Sequence, residues 1–170
     1  MSEEQELLQR ILRQEKEIQF ADFSNETALQ IGLSLLQGAQ GQEKPITIDI
    51  TRCGQQIFHY AMSGTAIDND EWILRKNRIV TRFGHSSLYI GTLLKEAGQT
   101  LEEKYLISSH EYAAHGGAFP LIIRGVGPIG TITVSGMAQR DDHELVVSTL
   151  RKCLNVNDAT HPQSAQYSIK

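Results

Sequence analysis

Between Glu4 and Ile18 the apolar residues Leu7, Leu8, Ile11, Leu12 and Ile18 return mostly at steps of three and four, with glutamate, glutamine and arginine between them. That period lays an apolar stripe along an amphipathic helix. A second helix opens at Ser24, whose hydroxyl can cap it. Its Leu29, Ile31, Leu33, Leu35 and Leu36 are apolar on more than one side, which predicts deep burial before Gly38 to Gly41 ends it. The period then shortens to two. Ile46, Ile48 and Ile50 alternate with Thr47, Asp49 and Thr51, as in a strand with one buried face. Cys53-Gly54 reads as a turn, and QIFHYAM returns as the partner strand, with His59 facing away from Phe58 and Tyr60.

Asp68 and Glu71 have capping-box spacing ahead of a helical stripe of Trp72, Ile73, Ile79, Val80 and Phe83. Arg75, Lys76 and Arg78 fall on the polar side of that helix and read as a solvated or inter-subunit charged face. After Gly84-His85, Ser86 or Ser87 opens a helix through Leu88, Leu93 and Leu94 that stops at Gly98, and Thr100 with Glu103 starts a short one. Ser108 with Glu111 repeats the capping spacing, so HEYAAH reads as one or two helical turns halted by Gly116-Gly117. Glu111 is then a cap partner, and His115 lies near a helix C-terminus. Phe119 to Arg124 and Ile129 to Ser135 are branched apolar runs joined by GVGP, a second hairpin broken by Gly136. Asp141 with Glu144 caps a last helix carrying Leu145, Val146, Val147 and Leu150.

This order predicts an α+β fold, a single domain over residues 1–155. Its antiparallel sheet comes from two hairpins, 46–62 and 119–135, with one face covered by helices. Leu121, Ile122, Ile123 and Ile132 suggest that the other face is partly buried too, against another subunit. The polar, aperiodic stretch 156–170 is expected to be an extended arm or a disordered tail.

A chain of 170 residues can bury about 70% of its unfolded surface without staples. The net charge of -4 and pI near 5.8 exclude a nucleic-acid footprint. Cys53 and Cys153 lack metal or disulfide spacing and read as reduced core thiols of a cytoplasmic protein. The acidic N-terminus has no signal-peptide pattern, and no run approaches the roughly 20 apolar residues of a membrane span.

Four constellations could carry chemistry. His110, Glu111, His115 and His143 are metal-ligand types, but His110 and His115 are five apart, which turns them away from a shared ion on a helix, so no metal is assigned. Ser135, ahead of Gly136, stands where a strand-end nucleophile could, yet Thr133 replaces the first glycine of the nucleophile-elbow pattern. Gly116-Gly117, Gly136 and the start of the last helix could cradle a carboxylate or phosphate, although Asp141 and Asp142 oppose one. Phe83, Tyr89, Tyr112 and Phe119 could line a pocket for a planar ligand.

Two stretches, DNDEWILRKNRIVTRFGHSSLYIGTLLKE and HGGAFPLIIRGVGPIGTITVSGMAQRDDHELVVSTL, closely resemble the haem-degrading-domain family of the GlcG/HbpS-like group. Within it they resemble a cytoplasmic branch that carries RFGHSS and EYAAHGG. The resemblance implies a profilin-like layout, assembly into symmetric homo-oligomers, and haem as a candidate cofactor. No iron ligand of haem-binding members maps onto a matching position. The ligand-binding candidates are therefore His85, His115, Gly116, Gly117, Ser135, Gly136 and His143, with catalytic residues unassigned. The expected function is an oligomeric protein that binds haem or another planar or small acidic molecule near these histidines. The alternative is a non-catalytic oligomeric scaffold or adaptor that engages a protein partner through its C-terminal tail. The first reading requires the glycine-flanked histidine turn and the Ser135-Gly136 strand exit to meet at one corner of the sheet.

Overall fold

A computed structural model describes residues 1–156, so the tail expected at 156–170, and the partner docking assigned to it, lie outside the described residues apart from Val156. One antiparallel sheet organises the chain. β1 (Thr47–Arg52) and β2 (Gln55–Ala61) form the first hairpin, and β3 (Ala118–Ile123) and β4 (Gly127–Ser135) form the second. β1 pairs with β4, giving the order β2-β1-β4-β3. The α+β class and the two-hairpin sheet are as expected. Cys53 takes a left-handed φ of 50° in the first turn and is exposed, as is Cys153, so neither is a core thiol.

The strands alternate, and each face has its own cover. Ile46, Ile48, Ile50, Phe119, Leu121, Ile132 and Val134 form one face, packed against α2 (Asn25–Ala39) and α6 (Gln139–Cys153) through Ala28, Ile31, Leu35, Val146 and Leu150. These fully buried apolar side chains are the main core, and their transfer from water is the largest favourable contribution to folding. The second face presents Thr47, Asp49, Thr131, Thr133 and Ser135, all buried. It lies under α3 (Ile67–Phe83), so the expectation of one covered face and a subunit across the other is corrected: a helix of the same chain fills that place.

Polar groups buried together mostly satisfy one another, although the Thr47 and Thr131 hydroxyls have no partner among the described residues. Asn77 of α3 does this by donating from Nδ2 to Asp49 (3.0 Å) while its Oδ1 accepts from the Thr133 hydroxyl (2.5 Å). The Thr51 hydroxyl (2.9 Å) and the Gln56 amide (2.7 Å) complete the shell of Asp49.

α3 begins at Ile67, not at a box of Asp68 and Glu71. Its N-cap residue is Ala66, whose N–H donates to Asn69 Oδ1 (3.0 Å), and the shorter asparagine takes the role expected of glutamate. α4 (Ser87–Ala97) is capped by Ser86 and stopped by Gly98, and α5 (Leu101–Tyr105) carries the Thr100–Glu103 capping box, both as expected. HEYAAH is corrected. Ser108 makes one turn, accepting from the N–H groups of Glu111 and Tyr112 (both 3.0 Å), and the chain then runs on without a helix to Gly116. Arg78 donates to the Glu111 carbonyl (3.1 Å) and Arg75 to that of Ser109 (3.2 Å), so α3 holds this segment from the side.

α1 (Glu3–Glu17) packs on α4 through Leu7, Ile11 and Leu88. It is latched by Glu15, a buried carboxylate that accepts from the Ser86 N–H (2.8 Å) and pairs with His85 Nδ1 (2.6 Å). Past α1, Phe20 bridges in parallel to Ile123 and covers the β3 edge. Leu29 and Leu33 of α2 are 51% and 53% exposed, correcting the expectation of deep burial, because only one side of α2 meets the sheet.

Two outcomes follow from these contacts. Asn77→Ala removes one donor from Asp49 and the acceptor of Thr133, and urea denaturation should show a loss of about 1–3 kcal/mol. The Glu15 hydrogen bond raises the His85 pKa. The latch's stability contribution is therefore complete below the unfolded imidazole value of about 6.5 and is lost as pH rises through the raised folded value. His85→Gln should destabilise the protein more at pH about 5.5 than at pH about 9; an equal penalty at both would exclude an ionised latch.

Candidate functional site

The corner required by the sequence forms. Gly117, entering β3, accepts from the Val134 N–H (3.1 Å), while the β4 exit at Ser135 and Gly136 lies beside it and leads into α6. The glycine is needed on two counts. Its φ of 133° disfavours side chains, and a Cβ there would lie 2.5 Å from the Val134 carbonyl oxygen and 2.7 Å from Lys76 Nζ. Gly116 N–H donates to Gln139 Oε1 (3.2 Å), which ties the turn to the first residue of α6.

Lys76 is the residue placed least like its expectation. Instead of joining a solvated face with Arg75 and Arg78, it is 3% exposed, with Nζ donating to Asp142 Oδ2 (3.1 Å) and to the Val134 carbonyl (3.3 Å). Asp142 in turn accepts from the Met137 N–H (3.0 Å) and the Gly136 N–H (3.4 Å). The expected anion cradle therefore exists but is filled by the chain's own carboxylate, and the N-cap of α6 is Ala138 rather than Asp141. Burial lowers the Lys76 pKa and raises that of Asp142, each against the pull of its partner's opposite charge.

Above this pair opens a cavity of about 260 Å3, lined by Trp72, Lys76, His115, Ser135, Gln139 and Asp142 among others. His115 stands at its exposed mouth, its ring edge-on to Trp72 with centroids 5.2 Å apart, and the Arg75 guanidinium lies 4.2 Å over the same indole. Partial burial, then Lys76 and Arg75, push the His115 pKa below the ordinary imidazole value, so the ring is neutral near pH 7. Among the described residues no side-chain hydrogen bond engages it.

The seven candidate residues do not form one site. His115, Gly116, Gly117, Ser135 and Gly136 gather at the corner. His85 sits apart on the Glu15 latch, stacked beside Tyr89 with ring centroids 4.6 Å apart. His143 is 3% exposed, paired through Nε2 with Gln14 Oε1 (2.8 Å), and burial drives its pKa to about 3. It borders a separate hollow of about 210 Å3 with Leu7, Arg10 and Arg140. The planar pocket expected from four aromatics does not assemble either: Phe83, Tyr89 and Tyr112 join a small cluster around Ile79 and Ile90, whereas Phe119 is fully buried in the main core. Among the described residues no three His, Cys, Asp or Glu side chains converge as a metal site. Nor does a histidine contact the Ser135 hydroxyl among them.

Lys76 and Trp72 are the corner residues that residue-type reasoning missed as functional. A signal for Lys76 was present: Ile73, Lys76 and Val80 are spaced three and four apart, which puts the lysine on the buried stripe of α3.

Three comparisons place this geometry among known proteins. The family described as "Haem degrading protein HbpS-like" matches residues 23–151. A UPF0303 protein of Streptomyces coelicolor is 45% identical over 139 residues, which cover 82% of this chain and 88% of that one. The crystal structure of the Ybr137w protein superposes with a TM-score of 0.81 at 37% identity over 87% of both chains. A PduOC–haem complex has a TM-score of 0.65 at 19% identity, over 79% of this chain and 96% of that one, a likeness of fold alone. By sequence over most of its length, this chain belongs to the HbpS-like haem-degrading protein family.

Proposed function

We propose that this protein binds haem, or another planar small ligand, against the mouth of the corner between α3, β3 and α6, as a homo-oligomer. The observation that carries this reading is the His115 imidazole, neutral, exposed and with no side-chain hydrogen bond among the described residues, edge-on to Trp72. A neutral imidazole beside an indole offers two ring contacts to a flat ligand and leaves one ring nitrogen's lone pair for a donor or a metal. The other two histidines offer less. His85 is paired with Glu15, which raises its pKa, and His143 is buried on Gln14.

Size and charge narrow the ligand. The cavity of about 260 Å3 falls below the roughly 300–1,000 Å3 of pockets that enclose a drug-sized ligand. One chain therefore fits an edge or part of a face of a macrocycle, and a second copy would cover the remainder. A small acidic ligand loses support, because Asp142 already takes the local donors and Asp68 adds a second carboxylate to the lining. When bound, haem supplies iron redox chemistry. The chain contributes Trp72 and His115 as ring contacts and Arg75 as a cation at the rim.

Haem titration followed at the Soret band is the test. Wild type and His85→Ala should shift the band alike, whereas His115→Ala should weaken binding about tenfold or more, about 1.4 kcal/mol. Equal affinity in His115→Ala would defeat the proposal. Because its pKa is lowered, His115 stays deprotonated as pH falls through about 6.5, where an ordinary imidazole protonates. Affinity should hold through that point and decline only at lower pH.

A further inference from the structure

We propose that Lys76 is an amine nucleophile that forms an imine with a small uncharged aldehyde entering the corner cavity. The geometry supplies what such a lysine needs. Nζ is removed from bulk water, Lys76 being 3% exposed, yet the residue lines an open cavity of about 260 Å3. Gly117 lets the backbone approach Nζ closely, since a Cβ there would stand 2.7 Å from it. Two of the three ammonium hydrogens are assigned, to Val134 O and Asp142 Oδ2, so the third is free to be directed elsewhere. Asp142 is fixed by the Met137 N–H (3.0 Å), which holds a proton acceptor 3.1 Å from the amine.

Burial and a nearby cation both favour the free amine, as in lysines activated by desolvation and a neighbouring positive charge. Here burial dominates the lowering of the Lys76 pKa, the charge and hydrogen bond of Asp142 oppose it, and Arg75 adds a smaller lowering, while burial raises Asp142 against the pull of Lys76. Both shifts favour proton transfer from the lysine to the aspartate.

The step balances within the pair. The ammonium gives one proton to Asp142, and the amine lone pair adds to the carbonyl carbon. The carbonyl π pair moves to oxygen, which takes a proton from the nitrogen to give a neutral carbinolamine. Asp142 then returns its proton to that hydroxyl, water departs with the C–O bonding pair, and the nitrogen lone pair closes the C=N bond. Lysine ammonium and aldehyde become a protonated imine and one water, and Asp142 ends as the carboxylate it began. An anionic carbonyl compound is disfavoured, since Asp142 and Asp68 both line the cavity. The same volume restricts the substrate to a few carbon atoms.

The experiment is reductive trapping on the full chain. Protein incubated with propanal and cyanoborohydride near neutral pH is digested, and the propylated lysines are mapped by mass spectrometry over time. Lys76 should be modified before the exposed Lys16 and Lys104, and pyruvate in place of propanal should label it more slowly. Lys76→Arg should lose only that adduct. In Asp142→Asn, once circular dichroism shows the fold retained, labelling at position 76 should slow. Modification confined to exposed lysines, or Lys76 labelled last, overturns the proposal. So does an unslowed reaction in a folded Asp142→Asn protein. The readout involves no haem, so its failure is separable from failure of the haem-binding reading.

Discussion

The buried pair of Lys76 and Asp142 is the constraint around which the corner is built. Removing an ammonium and a carboxylate from water costs several kcal/mol per ion, and their attraction offsets this only with good geometry and further hydrogen bonds. The further bonds are present: the Val134 carbonyl takes a lysine proton, and the Met137 and Gly136 N–H groups donate to the aspartate. Three separate parts of the chain, the middle of α3, the end of β4 and the first turn of α6, are thereby fixed to two atoms. Losing either partner leaves the other charge buried and alone, a defect of roughly 3–5 kcal/mol in such pairs. An apolar pair of equal volume would cost less to bury, so the pair contributes position rather than net stability.

The same logic extends over the sheet face beneath α3. A threonine- and aspartate-bearing surface would ordinarily face solvent. Here it is covered because α3 carries matching polar groups, Asn77 toward Asp49 and Thr133 and Lys76 toward the corner. Hydrogen bonds require a definite register, whereas apolar packing tolerates sliding. Once Asn77 is locked, the rest of α3 follows at 100° per residue. Trp72, one turn before Lys76, then arrives at the mouth of the cavity, where its ring meets His115.

Legibility followed physical type. The strands, the hairpin turns and the capped helices at Ser24, Ser86 and Thr100 were readable because local period and capping decide them. The adjacency of Gly117 and Ser135-Gly136 was readable too, since a β3–β4 hairpin brings its outer ends together. What failed depended on partners far along the chain. Lys76 looks solvated until Asp142, sixty-six residues on, is placed beside it. Glu15 and His85 give no mutual sign in sequence, being seventy apart. HEYAAH satisfies a capping pattern, yet Arg75 takes the Ser109 carbonyl just before it, Arg78 takes the Glu111 carbonyl, and the Ala113 N–H donates to the Arg75 carbonyl, contacts that tie the segment along α3. Three histidines in signature stretches suggested one pocket, but two of them are committed to contacts with α1.

The corner has two layers, and their electrostatics are linked. At the floor, Lys76 and Asp142 nearly cancel as seen from a distance, but His115 lies close enough to register the lysine's charge, which after partial burial, and with Arg75, lowers the imidazole pKa. The rim is an aromatic surface flanked by the Arg75 cation and suited to a flat ring, while the floor is a polar pair suited to one small reactive group. Both share about 260 Å3, so a ligand deep enough to reach Nζ occupies the space into which a ring edge would dip. Occupancy of one layer excludes the other unless a single molecule serves both, with a planar body at Trp72 and His115 and a short arm directed at Lys76. Shape therefore couples the two proposed activities more strongly than charge does, because an imine at Lys76 would retain the positive charge and leave the field at His115 in place.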